Sequence, residues 1–377
     1  MMGRDARANS SGRLDLPRDV ALRAQPCLGK QPAHPRHLRL TRARRQPRQI
    51  GKQLKEVVVG PRRFTTFASV CSRLMADQKR FAGTAIALLL TLCTVAARAA
   101  RTLDIYFIDV EGGQSTLIVT PAGESLLIDT GYAGGRDADR IVAAAKAAGV
   151  SAIDVLMLTH FHADHTGGVP ELAARLPIKT FVDHDTIVAG DESSGPVFQA
   201  YAPVRAKGRH VIAKPGDTLP LKGVTARVVS SGAATIHAGA GAPKNPSCAP
   251  GFQPPPPGEP IENPRSTGIV LQFGAFRFVD LGDLSGQPLF EIVCPDNLLG
   301  RATVYLVPHH GGADVVYPAT FDVRPRVAIM NNGERKGGSA ASFEALRSVQ
   351  GLEDVWQIHK SRAAGAQFRR CARRESR

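Results

Sequence analysis

Apolar positions along the chain fall into three regimes. Residues 1–74 show little periodicity, whereas Phe81–Val95 (FAGTAIALLLTLCTV) is one unbroken apolar run. From residue 103 short apolar runs alternate with turn residues in the manner of half-buried and fully buried strands. LDIYFIDV, STLIVT and SLLIDTG read as three strands separated by Gly/Gln and Pro-Ala-Gly-Glu turns. Residues 136–148 have helical composition and stop at Gly149. IDVLMLT (153–159) is a continuous apolar run of buried-strand length, followed by a short helix (PELAARL) and a strand (KTFVDH). Residues 185–222 read as loop and short strands, and VTARVVS as a strand. Residues 238–265, rich in Gly and Pro, read as a long surface loop. TGIVLQF and FRFVDLGD form a hairpin around Gly274, and TVYLV, RVAIMNN and a helix near 340–349 follow. Strands and helices in two rough halves predict an α/β sandwich with the sheets inside and the helices outside.

The 48 basic and 33 acidic side chains give a formal charge of +15, but this charge is local. Residues 1–74 hold 17 basic and 4 acidic groups, while from residue 100 onward the two signs are equal at 28 each. The remainder therefore offers no net-charge signal for nucleic-acid binding. The Arg-, Pro- and Gln-rich front end cannot bury enough apolar surface to offset its ordering entropy. It reads as disordered, as an extension from an upstream start codon, or as a basic nucleic-acid-binding arm. Met75 opens a different segment: Lys79 and Arg80, then the apolar run, then small residues around Ala97 and Ala99. That order predicts a signal peptide over 75–99, a domain over 100–360 in the secreted or periplasmic space, and no membrane span after cleavage. Cys248 and Cys294 are the cysteines inside this domain, either a disulfide or two thiols. Residues 361–377 form a basic irregular tail, read as an interaction segment or as a truncated or frame-shifted end.

The candidate chemistry lies in His160-Phe161-His162-Ala163-Asp164-His165, four metal-ligand side chains within six residues directly after a buried strand. Imidazole and carboxylate suit zinc, with manganese or iron as alternatives. Burying such groups without a partner costs several kcal/mol, so packing does not explain them.

This string resembles the HxHxDH motif of the metallo-β-lactamase superfamily. Leu127–Gly131, Leu281-Gly282-Asp283 and Val307–Gly312 resemble that family's other conserved turns, in the expected order. The His-His-Gly form of the last resembles the hydrolase domains of competence (DNA-uptake channel) proteins. The resemblance implies a four-layered αββα sandwich holding two divalent metal ions, zinc foremost, at one edge of the sheets. His160 and His162 would hold the first ion, Asp164, His165 and His310 (or His309) the second, and Asp283 would bridge. An activated hydroxide would attack, with Asp164 and His309 in catalysis, the latter as an oxyanion donor. Asp129 would support a turn or a ligand. A third first-site histidine has the candidates His184 and His237, with His210 at the surface, and the competence-type domains often lack this ligand. Asn263 and Ser266 resemble a pair that orders the approach to Asp283, or serve as plain turn residues.

An aspartate at position 283 argues for ester, thioester or phosphodiester hydrolysis over antibiotic cleavage, and the His-His-Gly form tilts further toward phosphoesters, so that a small-molecule or phosphoester substrate is expected. The alternatives are lactonase or β-lactamase-like activity, and a metal-binding or redox protein without hydrolysis.

Overall fold

A computed structural model describes residues 20–24, 102–188, 190–239, 242–251, 262–317 and 319–362. The first sheet contains β1 (Val20–Ala24), β2 (Leu103–Phe107), β3 (Thr116–Val119), β4 (Ser125–Ile128), β5 (Ile153–Met157), β6 (Ile178–Asp183) and β7 (Arg209–Ile212), in that spatial order. β2, β3 and β4 pair antiparallel, and β4 through β7 pair parallel. The second sheet runs β14 (Asp354–Gln357), β13 (Val327–Met330), β12 (Val304–Leu306), β11 (Phe276–Asp280), β10 (Gly268–Phe273), β8 (Thr225–Ser231), β9 (Ala234–Thr235). The hairpin around Gly274 pairs Ile269 with Asp280 and Phe273 with Phe276.

Period-two side-chain alternation sorts the apolar residues into layers. Val155 and Met157 of β5 point inward and meet Ile269, Leu271, Phe278 and Leu306 of the other sheet. Leu156, between them in sequence, points outward to Ile141 and Ala145 of α1 (Arg136–Ala147) and to Leu172 of α3 (Val169–Ala173). Val279, Tyr305 and Met330 cover the far face of the second sheet. They pack there on Leu289 and Ile292 of α5 (Gly286–Val293) and on Phe343 and Leu346 of α6 (Ala340–Arg347). The result is a helix–sheet–sheet–helix sandwich, the layering that the sequence pattern predicts. Among the described residues no helix is long and apolar enough to cross a membrane.

Three elements depart from the pattern reading. β1 pairs parallel with β2, Val20 opposite Leu103, although residues 1–74 read as unstructured. Its five residues VALRA are a short apolar island, and Val20, Ala21 and Leu22 are buried. The rest of 1–74, the signal-like run 75–99 and the tail beyond 362 lie outside the described residues. α4 (Gly195–Arg205) stands where loop and short strands were expected; Pro203 inside it hides the helical pattern. Residues 262–265, expected in a surface loop, turn inward, with Glu262 and Pro264 buried. Cys248 and Cys294 form a disulfide that ties residues 242–251 to the end of α5.

Candidate metal centre

Buried strands end at one edge of the sandwich and release the chain into the turns that carry the chemistry. β5 leads to Thr159 and the histidine string, in which α2 (Ala163–Thr166) presents Asp164 and His165. β11 leads to Asp283, and β12 to His309 and His310. Backbone hydrogen bonds lock these turns together. Thr267 N–H donates to the Thr159 carbonyl (2.7 Å), and His309 N–H to the Gly282 carbonyl (3.1 Å). Gly282 has φ +57°, and a Cβ there would lie 2.6 Å from Thr159 Cβ, so the two segments meet only over a glycine.

Asp164, His165, Asp283 and His310, all buried, bring one donor atom each to within 4.8 Å of one another. Asp164 Oδ2 is 3.1 Å from both His165 Nε2 and His310 Nε2, and Asp283 Oδ2 is 3.2 Å from the same two nitrogens. His165 Nε2 and His310 Nε2 face each other at 3.3 Å. His160 Nε2 lies 2.8 Å from His162 Nδ1 and 3.9 Å from Asp283 Oδ2. Asp283 Oδ1, His310 Nδ1 and His162 Nε2 are buried without a hydrogen-bond partner. Converging imidazole and carboxylate donors with orphaned buried atoms fit a divalent cation better than a protein-only hydrogen-bond network.

The residues behind the donors fix their orientation. Asp129, fully buried at φ +59°, accepts from His165 Nδ1 (2.7 Å), Thr159 N–H (2.8 Å) and the Thr159 hydroxyl (2.7 Å). This turns the other ring nitrogen of His165 toward the cluster. Asp283 N–H donates to Ser266 Oγ (3.2 Å). His309 Nδ1 donates to Asp314 Oδ2 (2.7 Å), while its Nε2 lies 3.3 Å from Asn263 Nδ2 and 3.8 Å from Asp283 Oδ2. Both readings of Asn263 and Ser266 thus meet in one place, a turn packed against the cluster.

Charge is divided unevenly. Burial opposes ionisation of Asp164 and Asp283, yet His165 and His310 hold both carboxyls well below their usual range. Burial disfavours a charged His165, but Asp283, Asp164 and Asp129 raise it well above an ordinary imidazole. Burial, with His165 and His162, drives His160 well below it. Burial also pushes Asp280, beside the cluster, up to about 7 against the Gly282 N–H and Gln114.

The candidates for a third first-site histidine lie elsewhere. His184 packs against Phe161 with its ring tilted and the centroids 4.4 Å apart, and its Nε2 faces Glu262 Oε2 at 3.1 Å without hydrogen-bond alignment. His210 Nε2 pairs with Asp183 Oδ1 at 2.9 Å, and His237 is exposed. Two residues escaped the pattern. Glu262 reaches back from its loop to accept from Phe161 N–H (3.3 Å), and Lys336 Nζ bonds Asp164 Oδ2. Neither belongs to a motif; only proximity in space marks them.

The family model described as the metallo-beta-lactamase superfamily matches residues 108–243. A 73-residue stretch is 37% identical to a hydroxyacylglutathione hydrolase of Xylella fastidiosa, covering 19% of this chain and 26% of that protein. A 65-residue stretch is 40% identical to the atrochrysone carboxyl ACP thioesterase dmxR1 of Cryptosporiopsis sp., covering 17% and 20%. The chain thus matches about a quarter or less of the length of these relatives. Among solved structures, the metallo-beta-lactamase fold protein YhfI from Bacillus subtilis is 13% identical with a TM-score of 0.39, over 67% of this chain and 94% of that one. Residues 108–243, 136 of the 377, thus resemble the metallo-beta-lactamase superfamily.

Proposed function

We propose that this chain is a metal-dependent hydrolase of ester-type bonds, phosphoesters foremost, working after export in the manner of the competence-type branch. The observation that carries this reading is the convergence of Asp164, His165, Asp283 and His310 from three separate turns. Those four residues would hold one divalent cation, and His160 and His162, with Asp283 shared, a second. Cations bound there supply Lewis-acid polarisation of a carbonyl or phosphoryl oxygen and acidify water toward neutral pH.

The protein's own groups supply the remainder. Asp129 keeps the His165 proton on Nδ1 and so aims Nε2 at the cluster. Asp314 does the same for His309, leaving His309 Nε2 on the partly exposed side, where it can hold or deliver a proton at a leaving-group oxygen. Burial disfavours the charged form of His309, but Asp283 and Asp314 outweigh it and raise its pKa above the ordinary imidazole value.

The hydroxyacylglutathione hydrolase and thioesterase relatives support carbonyl esters and thioesters as a wider substrate range. The signal-like run 75–99 and the disulfide support export to an oxidising compartment. Purified metal-loaded protein tested on bis(p-nitrophenyl) phosphate, a thioester, a lactone and nitrocefin examines the reading. Hydrolysis of the phosphodiester is the expected result. Turnover of none, despite bound metal, would favour the non-hydrolytic alternative.

A further inference from the structure

Lys336 occupies a turn whose backbone is held without its side chain. Gly333 N–H donates to the Lys336 carbonyl (2.9 Å), Gly338 N–H to the His310 carbonyl (2.8 Å), and Arg362 N–H to the Glu334 carbonyl (2.8 Å). Asn332 Nδ2 donates to the Gly333 and His359 carbonyls at 2.9 and 2.7 Å. Gly337 lies so close that a Cβ would sit 2.2 Å from the His310 carbonyl oxygen. The turn is thereby pressed onto the cluster by backbone contacts that do not involve the Lys336 side chain.

That side chain nevertheless extends to Asp164 Oδ2, with 39% of its surface still exposed. Among the described residues it is the one Lys or Arg paired with a carboxylate of the cluster. Asp164 has no shortage of polar partners, since His165 and His310 already face the same oxygen. A fixed ammonium beside a site for divalent cations is repelled by them. An anion arriving at the same place reverses that penalty. A flexible, strongly hydrated point charge is suited to a single phosphoryl or carboxylate oxygen.

We propose that Lys336 is a substrate-binding residue that takes an anionic group of the substrate beside Asp164, so that the preferred substrates are negatively charged esters. The inference rests on the hydrolase reading above and adds the charge of the substrate. The test uses the full chain loaded with Mn²⁺, as wild type, Lys336→Met and Lys336→Arg. Bis(p-nitrophenyl) phosphate and mono-p-nitrophenyl succinate are the anionic esters, and p-nitrophenyl acetate is the neutral one. Binding of inorganic phosphate is followed in parallel by calorimetry, and metal content by elemental analysis.

Lys336→Met is expected to raise KM for the charged esters by about tenfold with kcat within about twofold. The neutral ester should be unaffected, phosphate binding should weaken by about the same factor, and Lys336→Arg should recover most of the loss. Whichever charged ester shows the larger effect distinguishes a phosphoryl from a carboxylate group. Equal losses on charged and neutral esters, or lost metal in Lys336→Met, would overturn the proposal in favour of a role in holding Asp164. Unchanged KM and phosphate affinity would overturn it outright. If wild type hydrolyses none of the esters, the hydrolase reading fails, and the phosphate titration alone decides whether Lys336 binds anions.

Discussion

Asp129 Oδ2 lies 2.7 Å from His165 Nδ1, and neither side chain is exposed to solvent. The carboxylate fixes which imidazole nitrogen carries the proton and which is offered to a cation. Asp129→Asn is therefore expected to weaken metal affinity about 10- to 100-fold, as read by competition with a chromogenic chelator. Affinity equal to wild type would remove Asp129 from this role.

Asp283 faces the second-site pair His165 and His310 at 3.2 Å and His160 at 3.9 Å. An oxygen shared between two cations, as proposed, would not be removed without cost to both positions. Asp283→Ala should lose at least about one metal ion per chain when native mass spectra of variant and parent are compared. Unchanged stoichiometry contradicts a bridging carboxylate.

Phe107 of the first sheet meets Phe278 of the second edge-on, with ring centroids 5.9 Å apart. Both rings are buried, so Phe278→Ala leaves a cavity between the sheets and should cost about 3–5 kcal/mol in urea unfolding. Ile212 is exposed, and its replacement by alanine should change stability by less than about 0.5 kcal/mol. Similar costs for both would mean that the inter-sheet layer is not where the stability resides.

His359 Nε2 lies 2.6 Å from Asp109 Oδ1, away from the metal centre. The Asp109 carboxylate beside the imidazole raises its pKa, with burial opposing. A raised imidazole pKa stabilises the fold fully below the unfolded value of about 6.5 and loses that contribution as pH rises through the folded value. The melting temperature of wild type should therefore exceed that of His359→Gln most at about pH 5.5, and the gap should narrow toward pH 8.5. A gap independent of pH would assign His359 to packing alone.

Most of the framework is legible from local pattern. The alternation in LDIYFIDV and the continuous run IDVLMLT mark strands because burial on one or both faces is written into consecutive residues. The histidine string announces itself because four ligands in six residues have no packing purpose. Helix Gly195–Arg205 is hidden by its own prolines. Strand Val20–Ala24 is hidden by a polar, basic neighbourhood, and its pairing with Leu103–Phe107 joins residues about 80 positions apart. Lys336 and Glu262 carry no local signal at all. Their relevance comes from turns that bring distant backbone against the cluster, which no window of sequence contains.

The donor set is divided between the halves of the sandwich: the histidine string follows a strand of one sheet, and Asp283 and His310 follow strands of the other. Neither half alone can assemble the cation pocket. The cluster therefore reports on closure of the sandwich, since only a chain whose two halves have met in correct register brings these four side chains together.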